Sequence, residues 1–214
     1  PRKSLEVIDL PKLEYLSSFI FKSFAHLYES KERNEEMDKF WAKEIAAAEL
    51  FYTMGHSYEE YLPGRYFAYK RLSGILKECA DIQNRTILEV GCGSGLALIM
   101  LAKGGSKCSG IDQSYVALEF LRRNAEKEGL EGILYKQGDF FSTQYKDNQF
   151  DISYNLGVFE HLSQREQKKL INEMARITKE TILIAIPNPD SPLFKTLLHS
   201  EEDLESIAPG NIYP

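Results

Sequence analysis

Apolar positions recur every three or four residues at Leu13, Leu16, Ile20, Phe24 and Leu27, and again at Met37, Phe40 or Trp41, Ile45, Ala48 and Phe51. That spacing predicts two amphipathic helices, separated by the charged stretch 29–36. Gly and Pro punctuate 55–64 as a loop, and a third helix is predicted over about 65–80, with Tyr66, Tyr69, Leu72, Leu76 and Cys79 turned inward. From Ile87 the pattern changes. Short apolar runs at 87–90, 107–111, 132–137, 150–154 and 181–186 read as strands, and helical periods fill 95–103, 114–128 and 163–178. Strands that alternate with helices in this way build parallel crossover units. The expected fold is α/β: a doubly wound, mostly parallel sheet behind an α-helical N-terminal extension.

Three segments follow from this reading: a helical extension or cap over 1–64, a cofactor-binding core over 65–190, and an irregular tail over 191–214. The 25 residues after Pro187-Asn188-Pro189 carry no convincing strand, which leaves five parallel strands with nothing to finish the sheet edge. An open apolar edge strand is a liability. The natural chain is therefore expected to continue beyond Pro214, and the exposed strand could also pair with a second copy as a homodimer. The chain opens on Pro1 rather than Met, again as expected for a piece of something longer.

Composition narrows the function classes. A net charge of −6 over 214 residues disfavours a nucleic-acid partner, whose phosphates call for a basic face. Cys79, Cys92 and Cys108 show no CxxC spacing, which favours a reducing compartment over a disulfide framework or a zinc site. No apolar run approaches the ~18 residues of a membrane span, and no signal peptide is visible. A cytoplasmic protein without a membrane partner is the expectation.

The chemistry concentrates in Thr86–Gly95, TILEVGCGSG. A strand runs into Gly91, Cys92, Gly93, Ser94 and Gly95, and Leu96 begins a helix. Glycines let a ligand approach the backbone closely, and the helix's first amides and dipole face it. A dinucleotide fingerprint, GxGxxG, needs a third glycine where this chain has Leu96. A second acid, Asp112, follows Ile111 at the next strand end, 21 residues beyond Gly91. A carboxylate there accepts ribose hydroxyls, which holds equally for NAD. A third acid follows the third strand, in Gly138-Asp139-Phe140, where it could accept from an adenine amino group while Phe140 contacts the ring. No Walker pattern with its lysine is present.

These residues closely resemble the class I S-adenosylmethionine-dependent methyltransferases, and in particular the large group acting on small molecules. The resemblance is carried by ILEVGCGSG at 87–95, GID at 110–112, QGDF at 137–140, FDISYNLGVFEHL at 150–162 and the run 170–189, within about 57–190. It implies a Rossmann-like core and S-adenosyl-L-methionine as cofactor. Glu89 would orient the loop or the cofactor's amino group, and Gly91, Cys92, Gly93 and Gly95 would form the backbone cradle. Asp112, with Gln113 beside it, would bind the ribose. Asp139 and Phe140 would hold the adenine, and Asn155 and Leu156 would face the methionine portion.

Methyl transfer to a small-molecule oxygen, nitrogen or carbon centre requires alignment, exclusion of water and, for some acceptors, removal of a proton. His161 and Glu160 are the base candidates; the competing reading makes the pair a helix cap or a packed histidine. Related hydroxyl methyltransferases carry ExxEH here with a divalent ion, but this chain has Gly157 where the first ligand would stand, so no metal is expected. His56, Tyr58, Tyr61 and Arg65, with Tyr66, form a polar-aromatic cluster that either lines the acceptor pocket or packs the extension on the sheet. Cys92 fits the loop by its small size rather than its thiol. Three rival functions stay open: a silent cofactor-binding scaffold, an NAD-dependent oxidoreductase, and a nucleic-acid methyltransferase. The last is disfavoured because Asn155-Leu156-Gly157-Val158 stands where an (N/D)-P-P-(Y/F) tetrapeptide would be.

Overall fold

A computed structural model describes residues 4–9, 33–53, 74, 76 and 81–186. The elements, in chain order, are β1 (Ser4–Asp9), α1 (Arg33–Thr53), β2 (Thr86–Val90), α2 (Leu96–Lys103), β3 (Lys107–Asp112), α3 (Tyr115–Lys127), β4 (Leu134–Gln137), β5 (Phe150–Leu156), a 3-10 turn (Phe159–His161), α4 (Gln164–Ile177) and β6 (Thr178–Ile186). The helix predicted over 13–27, the loop 55–64 and the tail 191–214 lie outside the described residues. Of the predicted third helix, Gly74 and Leu76 are described; both are helical and Leu76 is buried.

All strand pairs are parallel, in the order β1-β6-β5-β2-β3-β4. From β2 the chain steps outward through β3 to β4, then returns to the other side of β2 with β5. The strand order therefore reverses between β2 and β5, the place where an open α/β sheet offers a crevice beyond its carboxyl ends. One feature departs from the hydrophobic pattern, which predicts no strand before Ile87. Ser4–Asp9 pairs in register with Thr181–Ile186 and covers the outer edge of β6. A partner some 175 positions away leaves no trace in local sequence; unpaired amides and carbonyls at the edge of β6 supply the driving force.

A parallel sheet must be covered on both faces, and the strands alternate accordingly. Ile87, Cys108, Ile152, Tyr154 and Leu183 point into one apolar cluster with Leu98 and Leu101 of α2 and Leu118 and Leu121 of α3. Leu88, Val90, Ile111, Ile182 and Ile184 point into the other, with Leu170 and Met174 of α4 and Met37, Trp41 and Ala48 of α1. Helix ends are set by local chemistry. Ser114 caps α3 by accepting from Ala117 N–H at 3.1 Å. Ser163 and Glu166 form a reciprocal capping box at the start of α4. α2 has no such side-chain cap; its N-cap is Gly95, at φ 67°.

Gly95 is also where α2 meets α3. A Cβ built there would come within 2.0 Å of Leu121 Cδ1. Gly105 shares the left-handed backbone, at φ +90°, but nothing lies within 4 Å of its Cβ position. Gly95→Ala should therefore lose about 3 kcal/mol of stability, from backbone strain plus overpacking, while Gly105→Ala loses roughly 1 kcal/mol from strain alone. Urea denaturation of the two variants measures the difference, and equal losses would refute the packing role of Gly95.

Candidate functional site

The carboxyl ends of β2, β3 and β5 converge on a shared set of backbone anchors. After β2 the chain turns at Gly91, whose N–H donates to Ile111 O at 2.8 Å; Cys92 N–H shares that acceptor at 3.2 Å. The loop is thereby stitched to the end of β3. Asp112 makes the second stitch. Its Oδ2 accepts from Gly93 N–H and its Oδ1 from Ser114 N–H, both at 2.9 Å. One buried carboxylate thus fixes the glycine loop and the start of α3 together. The carboxylate keeps acceptor capacity beyond these two bonds, of the kind a ribose hydroxyl requires. The third anchor is Asn155 on β5: its Nδ2 donates to Val90 O at 2.6 Å and its Oδ1 accepts from Phe159 N–H at 3.0 Å.

This edge is acidic and dry. Burial pushes the Asp112 carboxyl above its usual range; the amides of Ser114, Gly93 and Gln113 pull it back, and the charge of Asp38 on α1 adds to the rise. Glu89, paired in register with Gly110 and Tyr154, is pushed well above the carboxylate range by burial, opposed by the neighbouring Tyr154 hydroxyl and assisted by Asp112. Gly110 leaves the room for Cys92 and Leu98: a Cβ there would meet Cys92 Sγ at 2.7 Å and Leu98 Cδ1 at 2.9 Å. Burial, then Asp112 and Glu89, hold the Cys92 thiol well above its ordinary value. Cys92 is therefore a neutral packing group and not a nucleophile.

A family model described as a methyltransferase domain matches residues 87–181, the segment that builds this edge. EEF1A lysine methyltransferase 2 of Danio rerio is 31% identical over 131 residues, 60% of this chain and 55% of that protein. The ubiquinone biosynthesis O-methyltransferase of Pasteurella multocida is 31% identical over 101 residues, 43% of this chain and 42% of that protein. A solved structure from Methanococcus maripaludis, provisionally assigned as an S-adenosylmethionine-dependent methyltransferase, superposes with a TM-score of 0.52 at 22% identity, over 64% of each chain; at that identity the likeness shows the fold. Residues 87–181 form a methyltransferase domain. The chain spans about half the length of the curated relatives it matches.

Within this methyltransferase domain the expected residues occupy different kinds of place. Glu89, Cys92, Gly93, Gly95 and Asp112 are buried at the loop, and Gly91 and Gln113 are half-buried beside them. Asp139 is exposed; its Oδ1 accepts from Phe141 N–H at 2.8 Å. Phe140 is buried in the core, edge-on to Phe141 with ring centroids 4.8 Å apart. The Asn155 side chain is turned into the seam between β2 and β5, and Leu156 is half-buried. His56, Tyr58, Tyr61 and Arg65 lie outside the described residues. Among the described residues no cluster of three His, Cys, Asp or Glu could hold a metal ion, and no helix is long and apolar enough to cross a membrane.

Glu160 and His161 sit in the 3-10 turn after β5, and both are buried. Burial raises the Glu160 carboxyl to about 8, opposed only by its own backbone N–H, and lowers the His161 imidazole to about 4. Sequence reasoning placed the pair but not its protonation, because burial is a tertiary property. It also passed over Asp38 and Ser114. Asp38 accepts a short hydrogen bond from the Ser114 hydroxyl, and the D-x-S spacing after β3 is the signal that could have exposed the Ser114 half.

The two shifts have opposite signs in linkage. Glu160 stays protonated in the fold while the unfolded chain ionises above its ordinary 4.5, so stability falls as pH rises from there to about 8. His161 stays neutral in the fold while the unfolded chain takes up a proton, so stability falls as pH drops from 6.5 towards 4. Glu160→Gln should flatten the alkaline decline, and His161→Gln the acid one, in urea midpoints measured between pH 4 and 8.5. An unchanged alkaline decline in Glu160→Gln would show that its carboxyl is not held protonated.

Proposed function

We propose that this domain binds S-adenosylmethionine at the carboxyl ends of β2 to β5 and transfers its methyl group to a small-molecule oxygen, nitrogen or carbon centre. The observation that carries the reading is the Asp112 carboxylate, buried at the end of β3 with Gly93 and Ser114 N–H on its two oxygens. It is an acceptor beside a loop that has no side chain at Gly91, Gly93 or Gly95. That donor set fits an adenosine-type ligand. The α2 N-terminus has no side-chain cap and suits the electron-rich end of such a ligand.

The cofactor supplies an activated methyl on a sulfonium, so the protein's own tasks are orientation, dryness and proton handling. Asp112, with Gln113 next to it, holds the ribose. Glu89, largely protonated in its buried seat, fixes the loop or donates to the cofactor's amino-acid end. Asp139 Oδ2 accepts from the adenine amino group, with Phe140 supporting the loop from the core. Leu156 and the backbone of Asn155 form the wall at the methionine end.

Where the acceptor must lose a proton, the protonation states divide the base candidates. At neutral pH the His161 imidazole is neutral and can accept a proton, whereas the Glu160 carboxyl is already protonated. His161 is the base candidate in this reading; the burial that keeps it neutral also makes it a weak base. A second reading, methylation of a lysine side chain on a protein, is favoured by the 31% identity to EEF1A lysine methyltransferase 2 of Danio rerio. An amine acceptor of that kind also needs a proton taken away before it attacks.

Calorimetric titration with S-adenosylmethionine, S-adenosylhomocysteine and NADH tests the cofactor assignment. Binding of the two sulfur ligands is expected, with Asp112→Asn weakening it at least ~10-fold through loss of charge-assisted hydrogen bonds. Binding of NADH alone would replace the reading with an oxidoreductase. Binding of the sulfur ligands without any methyl transfer, across both amine and hydroxyl acceptors, would leave the scaffold.

A further inference from the structure

α1 lies across the mouth of the crevice, and its contacts fall on the groups a cofactor would use. The Trp41 ring occupies the space in front of Gly93: a Cβ built on that glycine would come within 2.6 Å of Trp41 Cζ2 and 2.8 Å of Cη2. One turn earlier, Asp38 accepts from the Ser114 hydroxyl, while Ser114 N–H donates to Asp112 Oδ1 at 2.9 Å. Nearer the other end of α1, Glu49 forms an ion pair with Arg123 on α3. Met37, Trp41 and Ala48 are buried in the same apolar cluster as Val90 and Ile111. The helix is seated on the glycine loop by its body, with polar contacts before and after the indole.

Two bodies cannot share one volume. A ligand held by Asp112 and lying against the Gly93 backbone needs the space that the indole fills. We propose that Trp41 is a stopper: with α1 seated as described, the domain is in a closed state that excludes cofactor, and binding requires the indole to leave Gly93. The inference rests on reading the crevice as the S-adenosylmethionine site. Asp38 belongs to the same device. Its hydrogen bond to Ser114 ties α1 to the residue next to the ribose acid, and it brings a second carboxylate towards Asp112, which a departing helix would take away. Apparent affinity is then reduced by the fraction of molecules that are open, and weakening the closed state raises it.

Trp41 is the single tryptophan of the chain, so its fluorescence reports on the stopper without interference. The experiment is titration with S-adenosylhomocysteine, read by heat and by tryptophan emission with acrylamide quenching. Binding should shift the emission to the red and raise its accessibility to acrylamide. Trp41→Ala should bind about tenfold more tightly than the parent, as expected when a mostly closed population is opened. Asp38→Ala removes a polar tie without opening a cavity in the core, and should tighten binding a few-fold even if Trp41→Ala misfolds. Binding to Asp38→Ala but not to the parent would support the stopper in its strongest form. Heat of binding with emission unchanged or better shielded, and with Asp38→Ala binding no more tightly, overturns the stopper and makes Trp41 a fixed wall. No heat with the parent or with either variant overturns the cofactor reading, and the stopper falls with it.

Discussion

The pair of hydrogen bonds from Gly93 and Ser114 N–H to the Asp112 carboxylate organises everything at the carboxyl edge of this sheet. It joins the end of β3 to the loop after β2 and to the start of α3, so that three segments share one buried anion. Charge-assisted hydrogen bonds are the stronger kind, and here they offset part of the cost of removing a carboxylate from water. Losing that carboxylate would free the glycine loop and the α3 cap at once. The loop amides of Gly91 and Cys92 add a purely backbone tie to Ile111 O, which holds the same register from the other side.

Around this centre the domain accumulates buried acids. Glu89, Asp112 and Glu160 are each at most 6% exposed, and all three are shifted towards the protonated form by desolvation. No stability argument explains such a set, since apolar residues of similar volume would pack the same space without the desolvation cost. The two apolar clusters on the faces of the sheet support it by packing the strands that carry these acids. Perturbed acids gathered at one sheet edge mark a site, and the methyltransferase-domain match over 87–181 falls on the same residues.

The relatives divide over the acceptor. One is a lysine methyltransferase and another an O-methyltransferase, at the same 31% identity. A fold does not specify a substrate. At the crevice, Trp41 and Asp38 of α1 bear directly on Gly93 and Ser114. Under the proposed cofactor site, helix seating and ligand access would be coupled, because the indole packs on Gly93 of the same loop.

Much of the α/β core was legible in the sequence. The strands read at 87–90 and 107–111 appear as Thr86–Val90 and Lys107–Asp112, and the alternation of Ile87 and Leu88 between the two faces follows from the two-residue period of a strand. Gly95 before Leu96, and Asp112 closing β3, were readable because turn and cap chemistry is local. The tertiary structure alone decided the rest. Ser4–Asp9 became a strand by meeting the free edge of β6. The Asn155 side chain became a tie between Val90 and Phe159. Phe140 went into the core, and Glu160 and His161 acquired opposite shifts by being buried in the same turn. Period, capping and turn residues act over a few positions and are written in the chain itself. Burial, desolvation and the seating of Trp41 on Gly93 join residues from dozens to well over a hundred positions apart, and exist only once the chain has closed on itself.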